Sequence, residues 1–305
     1  MYKEHFKLRE PPFSLTPDTS YYFNHSGHQE ALNVLLVALR TGEGFIKITG
    51  EVGTGKTLLC RKFLNALEEN FASAYLPNPL LAPQELLQEV ARELGLEAPD
   101  AASSPQLLQL LTTHLLQFSA RGQRVVICID EAQAMPEESL EALRLLSNLE
   151  TEKSKLLQII LFGQPELNER LAQRSLRQLL QRITFSYHLQ PLEREEFDAY
   201  VNHRLLIAGH QGGNLFRPQA LKMIYRASHG IPRLVNILCH KALMVAYGQG
   251  GRVVDKGQVL AAVRDTAGAD LVANRWGGRW SYWLLGLLGV TQVALLLFYL
   301  LRDSS

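Results

Sequence analysis

The chain has 305 residues, with 31 Lys and Arg against 30 Asp and Glu, a formal net charge of +1. Its 47% hydrophobic and 20% charged content excludes a disordered or collagen-like chain and allows a sizeable core plus a smaller second domain. A balance this near to zero removes the simplest argument for a nucleic-acid binder, which carries a basic excess.

The opening MYKEHFKLREPPF holds no apolar stretch long enough for a secretory signal, so the bulk of the chain is expected in the cytoplasm. Residues 8–26 read as a polar, Pro-containing stretch, and a helical pattern follows over about Gln29–Leu39. FIKITG (Phe45–Gly50) reads as a short buried strand, then a helix from Lys56 to Asn70, then a strand Phe71–Leu76 closed by the turn at Pro77–Pro79. Helical stretches come next around Pro83–Leu94 and Pro105–Ser119. VVICID (Val125–Asp130) and LLQIILFG (Leu156–Gly163) are apolar and β-branched, as strands covered on both faces should be. Strands alternating with helices of about ten residues or more predict a parallel α/β sheet. From Glu193 to Thr266 the pattern is helix-periodic, broken at Gly209–Asn214 and Gly230–Pro232, which predicts a separate helical subdomain. Cys60, Cys128 and Cys239 form no CxxC and suit a reducing compartment, packed as small apolar residues.

Near the C-terminus, Tyr282–Leu301 is an apolar run whose only polar residues are Thr291 and Gln292. As a helix it would measure about 30 Å, the thickness of a bilayer's hydrocarbon core. Trp276, Trp280, Tyr282 and Trp283 flank one end and Phe298 and Tyr299 the other, in the manner of interfacial belts. A core helix of that length would carry a polar face. A membrane span is expected, with Arg275 and Arg279 favouring an inside N-terminus. Four residues, Arg302–Ser305, follow it.

The strongest chemical signal is GEVGTGKT, which fits G-x-x-x-x-G-K-[ST] between a strand and a helix. Backbone N–H groups of Gly50, Glu51, Val52, Gly53, Thr54, Gly55, Lys56, Thr57 and Leu58 would wrap the phosphates at the positive end of the following helix. Lys56 would reach the β- and γ-phosphates and Thr57 would ligate Mg²⁺. The strand ending in Asp130 supplies a metal-side carboxylate, and Glu131 behind it is suited to polarise the attacking water. A DE pair is weak alone, since strands often stop at polar residues; beside the P-loop it predicts ATP hydrolysis. Gln164, at the end of the next strand, could orient the γ-phosphate or water, or be only a turn residue before Pro165. Arg170, Arg174 and Arg177 fall on one helical face, a pattern usual for a solvated surface. Arg182 sits between a helix and a strand, where ring-forming ATPases carry an arginine that reaches the neighbouring subunit's γ-phosphate. In GIPR, Pro232 suits a first helical turn and Arg233 could swing over the nucleotide. His5, His25, His114, His188, His203, His210, His229 and His240 show no metal-ligand spacing.

Together, the P-loop, IDEAQ, GQPEL, GIPRLVN and the opening Tyr-x-x-x-Phe, Pro-Phe, Thr-Pro-Asp and His-x-Glu-Ala-Leu pattern resemble the AAA+ ATPases of the general secretion pathway protein A (ExeA) type, in particular those of MSHA pilus biogenesis. The resemblance covers about residues 1–270. It implies that His28 and its surroundings line the adenine pocket, that Gln164 is sensor 1, Arg182 the arginine finger and Arg233 sensor 2. It also implies a homo-oligomer tethered in a bacterial inner membrane, single-pass with a cytoplasmic ATPase domain, serving pilus or secretion proteins and no nucleic acid. The expected organisation is an N-terminal segment packing on the nucleotide site (1–40), a P-loop αβα core (41–191), a helical lid (192–270), a linker (271–279), a transmembrane helix (280–302) and a tail (303–305). Secretion proteins of this type carry a peptidoglycan-binding domain after their span, which the four residues here do not supply. A DNA-transaction helper resembling transposition ATPases is the competing expectation, and a non-catalytic ATP switch a third.

Overall fold

The computed structural model describes residues 2–99, 102–150 and 155–269. The apolar run expected to cross a membrane lies outside them; among the described residues no helix is long and apolar enough to do so.

In chain order the elements are α1 (Tyr2–His5), α2 (Ser26–Thr41), β1 (Phe45–Gly50), α3 (Lys56–Leu64), β2 (Phe71–Leu76), α4 (Pro83–Glu93), α5 (Ser104–Ala120), β3 (Arg124–Ile129), α6 (Glu137–Leu146), β4 (Leu157–Gly163), α7 (Glu166–Leu171), α8 (Arg177–Leu180), β5 (Ile183–Leu189), α9 (Arg194–Ile207), α10 (Pro218–Ser228), α11 (Pro232–Gly248) and α12 (Lys256–Arg264). The five strands form one parallel sheet in the order β2-β3-β4-β1-β5.

Strand alternation divides the apolar residues between two faces. Ile46, Ile48, Val126, Cys128, Ile160 and Phe162 pack on α2 and α3 through Leu35, Leu39, Leu59 and Phe63. Val125, Ile127, Ile129, Leu157, Ile159 and Leu161 pack on α4, α5 and α6 through Leu87, Val90, Leu111 and Leu143. Because both faces are covered, β1, β4 and nearly all of β3 are buried throughout; β3 reads as an unbroken apolar run, while Lys47 and Thr49 of β1 and Gln158 of β4 are buried polar residues.

Beyond β5, helices α9 to α12 close their own core around Phe197, Ile224, Leu238 and Val259. That core also takes in Tyr2, Phe6, Leu8 and Phe13, so the N-terminal stretch is less polar in its packing than in its appearance. The expected 1–40 unit divides: residues 2–13 belong with the helical subdomain, and α2 belongs with the sheet. Buried Arg204 on α9 holds the stretch in place, with Nε donating to the Pro12 carbonyl at 2.6 Å and Nη2 to the Ser14 carbonyl at 3.1 Å. Its guanidinium also lies 4.6 Å over the Tyr21 ring, a cation–π contact.

Two further expectations are corrected. The helix after the P-loop ends at Leu64 rather than Asn70. Continuing it would set Glu68 and Glu69 at the negative end of its dipole, and the chain instead turns through Ala66 and Leu67 into β2. Arg170, Arg174 and Arg177 do not share one helical face, because α7 stops at Leu171 and Gln173 is extended before a single 3₁₀ turn leads to α8.

Phe13 is 2% exposed and meets Phe216 edge-on at 6.0 Å. Phe13→Ala is expected to lower stability by about 3–5 kcal/mol through cavity formation. Urea unfolding of the full chain measures this; a loss within about 0.5 kcal/mol would show the stretch to be a loose cover.

Candidate active site at the strand ends

The strand order sets the carboxyl ends of β3, β4 and β1 side by side, the edge where open α/β sheets bind ligands. β1 runs directly into the glycine loop, and Gly53 and Gly55 take φ of 87° and 98°, a backbone closed to most side chains. Gly53 has a second reason to lack a side chain: a Cβ there would lie 2.5 Å from the Cβ of Arg233. The Arg233 N–H donates to the Gly53 carbonyl at 3.1 Å, so the first turn of α11 rests on the loop.

Inside the loop, Lys56 Nζ donates to the carbonyls of Gly50 at 2.7 Å and Glu51 at 3.0 Å. Burial lowers the Lys56 pKa against the opposing charges of Glu131 and Asp130. Thr57 donates its hydroxyl to Asp130 Oδ2 at 2.6 Å, tying α3 to the end of β3. Burial raises the Asp130 pKa, opposed by that hydroxyl and by the Glu131 N–H. Tyr75 Oη lies 3.4 Å from the same oxygen, and burial together with the Asp130 charge pushes its phenol up to about 12.

A hydroxyl and a carboxylate in contact are hard oxygen donors, the partial set Mg²⁺ takes when phosphates and water complete its octahedron. Among the described residues no three His, Cys, Asp or Glu side chains gather to hold a metal. The donor set therefore fits an ion that arrives with a nucleotide.

Glu131 follows Asp130 in a left-handed conformation, φ 51° and ψ 36°, which costs a non-glycine residue about 1 kcal/mol. Its Oε2 accepts from Gln133 Nε2 at 2.6 Å and from Gln164 Nε2 at 3.0 Å. Burial pushes this carboxyl upward, but the two amides and the charge of Lys56 outweigh it and leave it below the usual range. Gln164 thus projects from the end of β4 toward Glu131.

The loop borders a cavity of about 200 Å³ lined also by Thr16, Asp18, Glu131, Tyr200, Arg204, Arg233 and Asn236. Of the residues singled out from sequence, the structure brings Lys56, Thr57, Asp130, Glu131, Gln164 and Arg233 together. Arg182 lies elsewhere, donating to Ser147 Oγ at 3.0 Å. His28 is not on the cavity wall. It is buried beneath the loop, with Nε2 3.1 Å from the Thr54 carbonyl.

Residues 39–171 match the family model described as AAA domain. This stretch is an AAA domain. The chain is 42% identical over 299 residues to general secretion pathway protein A of Aeromonas hydrophila, an alignment covering 92% of this chain and 54% of that one. The likeness to the general secretion pathway protein A type is thereby borne out, and the chain spans about half the length of this relative. Among solved structures, Cdc6p from Pyrobaculum aerophilum has a TM-score of 0.65 at 18% identity, over 83% of this chain and 70% of that one. The ORC1 protein of Aeropyrum pernix in complex with DNA has a TM-score of 0.59 at 18% identity, over 85% and 69%. At that identity these two share the fold alone.

Sequence reasoning missed Gln133 and the cavity wall built from Thr16, Asp18, Tyr200, Arg204 and Asn236. The only signal was the Thr16-Pro17-Asp18 block, visible as a family pattern without a role. Asn236 does have a local explanation, because its Oδ1 accepts the Tyr200 hydroxyl at 2.9 Å and fixes two wall residues together.

Burial, together with the neighbouring His25, lowers the His28 pKa from 6.5 to about 3, opposed by the Thr54 carbonyl. The unfolded chain therefore binds the extra proton between those values, and stability present above pH 6.5 is lost as pH falls. From pH 7 to pH 5 this group is expected to cost about 2 kcal/mol. His28→Gln keeps a donor toward Thr54 and should lose correspondingly less. Equal pH slopes in urea unfolding of the two proteins would remove His28 from that role.

Proposed function

We propose that this chain binds ATP with Mg²⁺ and hydrolyses it, as a membrane-anchored oligomer serving assembly of a secretion machine or an MSHA-type (type IV) pilus. What supports hydrolysis most is that Glu131 lines the same cavity as Lys56 and Thr57, with one carboxylate oxygen held by two amides. Oε1 is left to polarise a water aimed at the γ-phosphate. Lys56 exchanges its loop carbonyls for phosphate oxygens, and Thr57 and Asp130 hold the ion. Bound there, Mg²⁺ screens phosphate charge. Arg233 is exposed at the rim, free to close over the nucleotide from α11.

Arg182 has the bearing of a residue that works on a neighbour, since within its own chain it lies away from the cavity. The secretion or pilus role rests on likeness to general secretion pathway protein A, and the anchor on the run Tyr282–Leu301. The DNA-transaction alternative has in its favour the resemblance to transposition ATPases and a fold shared at 18% identity with a DNA-bound protein, against a net charge of +1.

Glu131→Gln is expected to lower ATP turnover by about 100-fold or more while nucleotide affinity stays within about threefold. Equal turnover in variant and parent would remove Glu131 from catalysis. Mixed with the parent, Arg182→Ala should depress turnover more than dilution does. A strictly proportional decline would place the arginine outside any shared site.

A further inference from the structure

We propose that Gln133 is a positioning residue for this hydrolysis: its side-chain amide fastens the Glu131 carboxylate to the end of β4, so that Glu131 and Gln164 are held as one unit. The inference rests on the reading of Glu131 as the group that polarises water.

Both ends of the Gln133 amide are used. Nε2 donates to Glu131 Oε2 at 2.6 Å, and Oε1 accepts the Gln164 backbone N–H at 3.0 Å. Gln164 closes the triangle with its own Nε2 on the same Glu131 oxygen at 3.0 Å. A glutamine is the residue this place requires. A carboxylate would face Glu131 with like charge, a methionine would leave the Gln164 N–H without its acceptor, and an asparagine is one methylene short.

The surroundings are shaped to the same end. A Cβ on Gly163 would lie 3.2 Å from Gln133 Oε1, so the glycine at the end of β4 leaves the amide room to approach. Arg170 on α7 donates to the Gln133 carbonyl, fixing the backbone from the other side. The 3₁₀ turn Ala132–Ala134, closed by the Ala134 N–H on the Glu131 carbonyl at 2.8 Å, presents Gln133 toward β4. Without the amide bridge, the Glu131 carboxylate, whose own backbone is strained, would be held by the Gln164 side chain and the more distant charge of Lys56.

The test uses the full chain and two isosteric variants, Gln133→Met and Gln133→Glu. Both keep the side-chain volume, so a residue that only fills space would tolerate either. The expected result for each is a 10- to 100-fold fall in kcat, with KM and ATP affinity within about threefold and melting temperature nearly unchanged. In a Glu131→Gln background, Gln133→Met should lower the residual turnover no further, because the group it positions is gone. Hydrogen exchange gives a readout independent of turnover: the Gln164 amide should exchange faster in Gln133→Met than in the parent.

Unchanged Gln164 exchange would overturn the geometry. Faster exchange with kcat intact would overturn the coupling to hydrolysis. Matching losses in kcat, affinity and melting temperature would mark Gln133 as merely structural. Full turnover in Glu131→Gln alone would instead remove Glu131 from catalysis, the reading on which this inference rests, an outcome distinct from the other three.

Discussion

Parallel pairing of β4 between β3 and β1 is the constraint on which the rest of the molecule depends. It brings three strand ends from distant parts of the chain to one edge of the sheet, carrying the glycine loop, the Asp130–Glu131 pair and Gln164. The hydroxyl of Thr57 on the Asp130 carboxylate then locks helix to strand across that edge. Apolar residues buried on both faces fix the register, since a slip by one position would turn Ile46 and Ile48 toward the wrong set of helices. Precision at the site is thus inherited from packing well beneath it.

The helical subdomain reaches the site through backbone as well as side chains. The Arg233 N–H on the Gly53 carbonyl seats the first turn of α11 on the glycine loop, and only a glycine permits that approach. Arg204, buried and shared between two carbonyls and two aromatic rings, draws residues 12–14 across the same subdomain and so completes the cavity wall. A residue with no reacting atom to touch therefore governs the shape of the binding space.

What the sequence revealed follows a physical boundary. The P-loop was legible because a strand, a glycine turn and a helix lie within about twenty consecutive residues, and Asp130 because it ends an unbroken apolar strand. The N-terminal stretch was not, since Phe13 and Tyr21 sit among prolines and polar residues and are covered by partners far along the chain, Phe216 against Phe13 and Arg204 over Tyr21. The side of the loop that His28 faces was not legible for a related reason. A ring on the first turns of a helix near the loop faces the cavity or the underside of the loop with no change in local pattern. Gln133 was invisible because its meaning lies in Gln164, 31 residues on and across a strand boundary. The arginine stripe failed where periodicity was assumed to continue through the break at Gln173.

The division of residues 2–41 between two bodies has a mechanical consequence. The chain passes from the helical subdomain to the sheet between Phe23 and Ala31, and back between Leu189 and Leu192. These passages run side by side, for a Cβ on Gly27 would lie 3.9 Å from the Gln190 carbonyl. The Ser26 N–H donating to Glu196 Oε1 at 2.8 Å stitches them together. Two tethers this close behave like a door's pivot: they permit rotation about the line joining them while opposing sliding and twist. The rim of the door is the first turn of α11 on the glycine loop, so a small angle at the pivot becomes a larger displacement over the phosphates. Rotation there would change the space over the glycine loop and tilt the outer face of those helices together.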